Sequence, residues 1–387
     1  MRNISFFVFF GIVILVYFLI NYYIYIRGWQ ALPVNSGIRS WYRWIFIFLA
    51  SSYLIARILE RIWLSHVSDV FTWTGSFWLG IMFYLLLLVA FIDLIRLLHH
   101  FAPVYPFFLP SGPARLKLTV FVITLSTVII TAVIGYINAI SPVIKTIELT
   151  IPKTAGHRST LTIAMASDIH MGTLVGPRRT KKMAAMINRQ KPDLVVFAGD
   201  LVDEELAPVL RFDLGRELNK ISAPLGVYAV TGNHEYIGGA GKAKKYLKDH
   251  GIIMLEDTSL LIDNSFYLAG REDRMKNRIA GQPRKSLGDL LCQTDMTKPV
   301  IMLDHQPFDL DSVAAAGVDL QLSGHTHHGQ LWPLNYITRA LYEVSMGYKK
   351  NGKTQFYVSP GYGGWGPPMR TNSRPEIVLL RISFKTP

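Results

Sequence analysis

At 387 residues the chain has room for more than one domain, and half of its residues are hydrophobic against 17% charged. Its one cysteine, Cys292, excludes an internal disulfide framework. The net charge of +13 is spread along the chain with no aromatic–basic pattern, which argues against a nucleic-acid partner and fits adhesion to anionic headgroups.

The apolar runs lie almost entirely in residues 1–140. Crossing a membrane core takes roughly 20 apolar residues in a helix. Residues 6–26, 71–92 and 118–140 meet this, and 44–59 is a shorter fourth span whose Arg57 can snorkel to the interface. Tyr22, Tyr23, Tyr25 and Trp29 close the first span, while Trp41, Tyr42 and Trp44 open the second, as amphipathic rings do at headgroup level. The first run is too long for a signal peptide and is followed by bulky tyrosines rather than a small-residue cleavage site. Asp93 ends the third span three residues before Arg96, a spacing that predicts an interfacial ion pair on one helix face. The sequence is thus expected to be a multi-pass cell-membrane protein, partnered by the lipid bilayer. The distribution of positive loops leans towards a soluble domain on the exoplasmic side.

Ser141-Pro142 ends the last span, and 141–158 reads as a linker and first edge. From residue 159 to 387 short apolar strands alternate with helical patterns, the signature of an α/β domain. Strands are expected at Leu161–Ala166, Leu194–Ala198, Val227–Val230, Pro299–Leu303 and Asp319–Leu322, with helices at Arg178–Gln190 and Val209–Lys220. Each strand runs into a block of metal-binding residue types. The blocks are Asp168-Ile-His170, Gly199-Asp200 with Asp203, Gly232-Asn233-His234-Glu235, His305, and Gly324-His325-Thr-His327. Ligands gather at the carboxyl ends of strands in open α/β sheets because loops converge there. A mixed Asp/Asn/His set suits two divalent ions of Mn, Zn or Fe better than Ca. Such a pair of ions cleaves phosphate esters or anhydrides.

These blocks resemble the calcineurin-like metallophosphoesterase superfamily. Asp304-His305-Gln306-Pro307, the run Tyr357-Val-Ser-Pro-Gly361, Trp365-Gly-Pro-Pro368 and Arg374-Pro-Glu-Ile377 resemble its bacterial membrane-associated branch. The resemblance covers about residues 159–385 and implies a metallophosphoesterase α/β/β/α sandwich following the N-terminal transmembrane helix bundle. It implies one metal held by Asp168, His170, Asp200 and His327, and a second held by Asp200, Asn233, His305 and His325, with Asp200 bridging. In such sites the ions stand roughly 3.5–4 Å apart and share a hydroxide that attacks phosphorus. His234 would stabilise the transition state or protonate the leaving oxygen. Asp203 and Glu235 would orient ligand imidazoles or loops, plain loop caps being the alternative. One departure is His328, which stands where the family often has glycine, so its side chain is expected to crowd the site or touch substrate.

Other features are less specific. Arg178, Arg179, Lys181 and Lys182, and again Lys242, Lys244, Lys245 and Lys248, suggest phosphate or lipid attraction, a solvated helix face being the plainer account. Tyr362, Trp365 and Arg370 lie in a Gly/Pro-rich segment able to wall a substrate cleft or to form a rigid turn. The expected activity is hydrolysis of phosphodiester or pyrophosphate bonds in a phosphorylated small molecule or a lipid-linked substrate. The competing expectation is a non-catalytic metal-binding membrane sensor or scaffold. That reading would need lost ligands, and none is missing.

Overall fold

The computed structural model describes residues 2–34, 36–101 and 113–385. Residues 386–387 of the expected 159–387 domain, and part of the basic loop between Arg96 and Arg115, lie outside the described residues. The chain divides into two compact units, Met1–Gly135 with Gly366–Pro368, and Tyr136–Trp365 with Met369–Pro387.

The described residues of the first part of the chain form four long helices: α1 (Arg2–Ala31), α2 (Gly37–Ile62), α3 (His66–Phe101) and α4 (Pro113–Ala139). Among the described residues, Gly11–Ala31, His66–Phe101 and Arg115–Ala139 are long and apolar enough to cross a membrane. Helix α2, which contains the expected span 44–59, carries Arg39, Arg43, Arg57, Glu60 and Arg61. Ile24, Phe46 and Trp78 from α1, α2 and α3 form the small core of this unit, with Phe46 edge-on to Trp78 at 5.1 Å. Polar groups inside it find partners, as they must away from water. Trp78 Nε1 donates to Asn21 Oδ1 at 3.0 Å and Tyr17 OH to Ala50 O at 2.7 Å. Asp93 pairs with Arg96 at 3.4 Å on its own helix and more closely with Arg27 of α1 at 2.7 Å, while Tyr23 OH donates to it at 2.6 Å. The expected ion pair is therefore one arm of a cluster joining α1 and α3.

The second unit holds two six-stranded sheets. The first is ordered β1 (Val143–Ile151), β12 (Glu376–Phe384), β2 (Thr160–Ala166), β3 (Leu194–Ala198), β4 (Val227–Val230), β5 (Ile253–Met254). The second is ordered β10 (Gly347–Asn351), β11 (Thr354–Val358), β9 (Leu320–Ser323), β8 (Val300–Leu303), β7 (Phe266–Gly270), β6 (Thr258–Ile262). Strands β2 to β5 run parallel, as do β11, β9, β8 and β7. Side chains alternate between the two faces of each strand. Leu161, Ile163 and Met165 of β2 therefore meet Ile301 and Leu303 of β8 in the core between the sheets. Ala164 and Ala166 instead pack against the helical layer with Met183 and Ile187 of α5 (Pro177–Arg189). Val300 and Met302 face a second helical layer with Leu290, Leu310 and Val313. The result is the expected α/β/β/α sandwich.

Two sequence expectations need correction. Residues 143–151, read as a linker and first edge, are strand throughout: β1 pairs in parallel with β12 over nine positions from Val143↔Glu376 to Ile151↔Phe384. The stretch alternates Lys145, Thr146 and Glu148 with apolar residues because it is an edge strand with one exposed side. The expected helix 209–220 is two short ones, Leu206–Arg211 and Gly215–Leu218, broken where Asp213 turns to φ +49°.

Candidate metal centre

Five parallel strands deliver the predicted blocks to one place. Asp168 follows β2, Asp200 follows β3, Asn233 and His234 follow β4, His305 follows β8, and His325 and His327 follow β9. Because β2–β4 lie in one sheet and β8–β9 in the other, the site straddles the carboxyl ends of both. The turns are sharp. Asp168, His170, Asp200, His325, His327 and His328 all have positive φ, between 46° and 73°. Such left-handed backbone is tolerated by Asp and His better than by most residues but is strained, and it clusters at functional sites. Gly199 (φ +89°) and Gly324 allow the ligands to close up. A Cβ on Gly199 would stand 2.5 Å from His305 Nδ1, and one on Gly324 would stand 2.6 Å from Ser167 Oγ and run into Asp168.

Donor atoms of Asp168, His170 and His327 all lie within 4.8 Å of one another, and so do those of Asp200, His305 and His325. In the first group His170 Nε2 faces His327 Nε2 at 3.2 Å, and His327 Nε2 stands 3.5 Å from Asp168 Oδ1. In the second, His305 Nε2 lies 3.1 Å from Asp200 Oδ2 and 3.2 Å from Asn233 Oδ1, which is 2.8 Å from His325 Nδ1. Asp200 Oδ2 also comes within 3.9 Å of His170 Nε2, so this one carboxylate touches both groups. All seven predicted ligands are thus brought together. The set fits divalent cations. Two buried imidazole nitrogens do not point at each other at 3.2 Å without a proton or cation between them. His305 Nδ1 donates to Ala198 O at 2.7 Å, which orients the ring with Nε2 towards Asp200 and Asn233.

Electrostatics follow the same division. Burial works against ionising Asp200, but the His305, His234 and His170 rings outweigh it and hold its carboxyl well below the usual range. Burial and the charge on His305 push His325 down to about 3, and burial with His170 and Arg370 keeps His327 well below the ordinary imidazole value. Neutral imidazoles are the form that binds metal. Burial opposes charge on His234 as well, yet Asp203 and the nearby Asp200 and Glu204 raise it to about 9.

Asp203 sits between two rings, 3.5 Å from His170 Nδ1 and 3.2 Å from His234 Nδ1. These three donors also lie within 4.8 Å of one another. Glu235 touches no imidazole. Its carboxylate accepts backbone N–H groups from Asp200 (3.2 Å), Val202 (2.9 Å) and Gly232 (2.7 Å), tying the β3 and β4 loops together. His328 is buried and turned away, its Nδ1 3.0 Å from Ser345 Oγ, so it does not crowd the ligands.

The structure corrects several other expectations. Arg370 and Tyr362 do not wall a cleft; both are about 1% exposed. Arg370 Nη2 donates to Pro360 O at 2.7 Å and lies 3.3 Å from His327 Nδ1, its Nε donates to Gly363 O and its Nη1 to Ser373 Oγ. Trp365 does stand at the site, half exposed, with its ring 5.9 Å from that of His234. Arg179 is not a solvated residue, since its Nη2 donates to Ala139 O and Tyr362 O. Lys244 is held by Glu256 and Glu272 at 2.6 and 2.8 Å. The sequence reading named Asp304 only within the Asp304-His305-Gln306-Pro307 run and not as buried between Arg271 and Arg284, and it missed Asp273, which accepts both bonds from Gln306 Nε2. A buried charge needs such partners, and the Arg271-Glu-Asp-Arg274 run after β7 was the available signal.

Comparison with known proteins agrees with this geometry. The profile of the calcineurin-like phosphoesterase family matches residues 161–329. An uncharacterised metallophosphoesterase of Aquifex aeolicus is 35% identical over 225 residues, covering 58% of this chain and 85% of that protein. One from Campylobacter jejuni is 29% identical over 392 residues, covering 98% and 99%. A protein of Bos taurus named transmembrane protein with metallophosphoesterase domain is 34% identical over 268 residues, covering 64% and 59%. Fold and site together define a metal-dependent phosphoester hydrolase. The chain belongs to the calcineurin-like phosphoesterase family and is a membrane-associated member of it.

Proposed function

We propose that this chain is a multi-pass membrane enzyme that hydrolyses phosphodiester or pyrophosphate bonds at a binuclear centre. The observation that carries this reading is the convergence of two donor groups on the single carboxylate of Asp200. Asp168, His170, Asp200 and His327 would hold one divalent ion, and Asp200, Asn233, His305 and His325 the other. When bound, such ions make water a competent nucleophile at neutral pH and neutralise charge building on the phosphoryl oxygens. The protein's own groups do the rest. His305 is locked by Ala198 O and His327 is steadied by Arg370, so the ligand shell keeps its shape. His234 turns Nδ1 towards Asp203, which leaves Nε2 to carry the proton given to the departing oxygen. Trp365 lies against that ring and limits water there. The bilayer and a phosphorylated small-molecule or lipid-linked substrate are the proposed partners. The positive-loop distribution supports an exoplasmic catalytic domain.

Purified protein supplied with Mn or Zn should hydrolyse bis-p-nitrophenyl phosphate, and Asp200→Ala should abolish the activity. Equal turnover by the variant overturns the assignment. Metal bound at stoichiometry, with no turnover on a broad phosphoester panel, would favour the non-catalytic alternative instead.

A further inference from the structure

One helix of the catalytic unit is built inside out. Leu334–Leu341 follows directly after the His325/His327 loop, and a Cβ on Gly329 would stand 2.5 Å from Asn335 N, so loop and helix are in direct contact. The residues it turns inward are polar. Asn335 is buried, with Oδ1 left without a partner, and Thr338 Oγ1 donates back to Asn335 O. Its large apolar side chains face out: Tyr336 is 61% exposed, Ile337 56% and Leu341 66%. Trp332 just before the helix and Trp365 at the metal centre are each 52% exposed. Gln330 joins the two segments, its side chain accepting from Trp365 N and donating to Trp365 O. A soluble domain folding in water alone would turn such a helix round, because an apolar stripe is stabilised by burial.

The same surface adjoins the point where the chain leaves its last apolar helix. Trp332 N donates to Thr371 Oγ1. On either side of Thr371, the carbonyls of Arg370 and Ser373 accept the two N–H bonds of Asn138, in the final turn of α4. Arg179 and Lys182 of α5 donate to the carbonyls of Ala139 and Ile140, completing that helix end. Trp332, at the head of the strip, is thus joined through the segment Arg370–Ser373 to Asn138, in the last turn of a helix long and apolar enough to cross a membrane. Trp and Tyr are the side chains that favour headgroup depth, and exposed Arg339 on the same helix suits anionic lipid.

We propose that Leu334–Leu341, with Trp332 and Trp365, is an interfacial anchor that seats the rim of the metal centre in the headgroup layer. Resting on the proposed hydrolytic function, it assigns as substrates amphiphiles whose phosphate or pyrophosphate lies at the bilayer surface. The single cysteine makes the test direct. Full-length protein carrying Cys292→Ser and Ile337→Cys is labelled with the environment-sensitive fluorophore NBD. It is then reconstituted in phosphatidylcholine vesicles containing phosphatidylglycerol, with and without nitroxide-labelled lipid. A matched label replacing Lys350, on strand β10, serves as the solvent reference. The anchor predicts a blue-shifted emission and strong nitroxide quenching at position 337 and neither at 350.

In parallel, the Ile337→Asp/Leu341→Asp variant is assayed on bis-p-nitrophenyl phosphate and on a long-chain p-nitrophenyl phosphodiester in the same vesicles. Hydrolysis of the soluble diester should stay within roughly two-fold, while kcat/KM for the long-chain diester should fall about ten-fold or more, in step with the lost apolar contact. An unquenched label overturns the proposal, as does equal loss on both substrates. It is likewise overturned if the variant leaves both activities unchanged, or if it converts a dimer to a monomer, which would make this face a self-association surface. If wild-type protein hydrolyses neither probe, the hydrolytic reading has failed, and quenching at position 337 still decides the anchor by itself.

Discussion

Glu235 offers the sharpest test of how the site is assembled. Three backbone amides, from Asp200, Val202 and Gly232, converge on its two oxygens. Oε2 accepts two of them and Oε1 one. Replacing Glu235 by Gln forces an NH2 group into one of those places. The cheaper choice gives up Oε1 and so strands Val202 N, because the alternative strands two donors. One buried N–H without an acceptor costs about 1–3 kcal/mol. For a domain of this size that is roughly 2–12 °C in Tm. The stranded donors belong to the turns carrying Asp200 and Asn233, so metal affinity should also fall by about 10–100-fold. Thermal unfolding of full-length protein in detergent reads the first quantity, and metal titration of chelated, desalted protein reads the second. A Glu235→Gln variant that melts within about 1 °C of wild type and keeps its metal affinity would refute the reasoning and leave Glu235 as a simple cap on the helix Asn233–Gly238.

Other outcomes follow from the same structure. Arg370→Met should lower stability by about 1–3 kcal/mol, because the carbonyls of Pro360 and Gly363 lose their buried donor; unfolding in urea measures this, and a loss below about 0.5 kcal/mol contradicts it. Exhaustive chelation should abolish activity and lower Tm, with Mn or Zn restoring both better than Ca, since four imidazoles are poor ligands for a hard cation; recovery with Ca alone would argue against the donor assignment. Burial holds the Glu376 carboxyl above its ordinary value although Tyr357 OH donates to it at 2.6 Å. Stability should therefore drop as pH rises from the unfolded to the folded pKa of Glu376. Glu376→Gln, which keeps the acceptor and cannot ionise, should melt higher than wild type above that window and no higher below it.

The strand-end blocks were legible because they are local. Each is a short apolar run followed by a turn and a ligand, and parallel strands must bring such turns to the same sheet end. That logic found Asp168, Asp200, Asn233, His305, His325 and His327 together with His170 and His234. It failed where the outcome depends on which carbonyls a folded loop presents. Nothing local in Arg370 or Arg179 distinguishes a buried guanidinium from a solvated one, and their acceptors, Pro360 O and Ala139 O, are set by the tertiary fold. Strand β1 was read only loosely, as a linker and first edge, for a related reason. Its partner β12 lies more than 200 residues away, so an edge strand of alternating polarity reads as a connecting segment.

Six residues of the metal loops sit at positive φ, and Gly199, Gly232 and Gly324 stand where a Cβ would run into His305, Asp200 and Asp168 respectively. Left-handed backbone at a non-glycine residue costs of order 1 kcal/mol each. The loops are therefore sprung, and bound cations act as the catch. Relaxation of the Asp200 turn alone would take a ligand from both groups at once, so the two ions should leave together rather than one at a time.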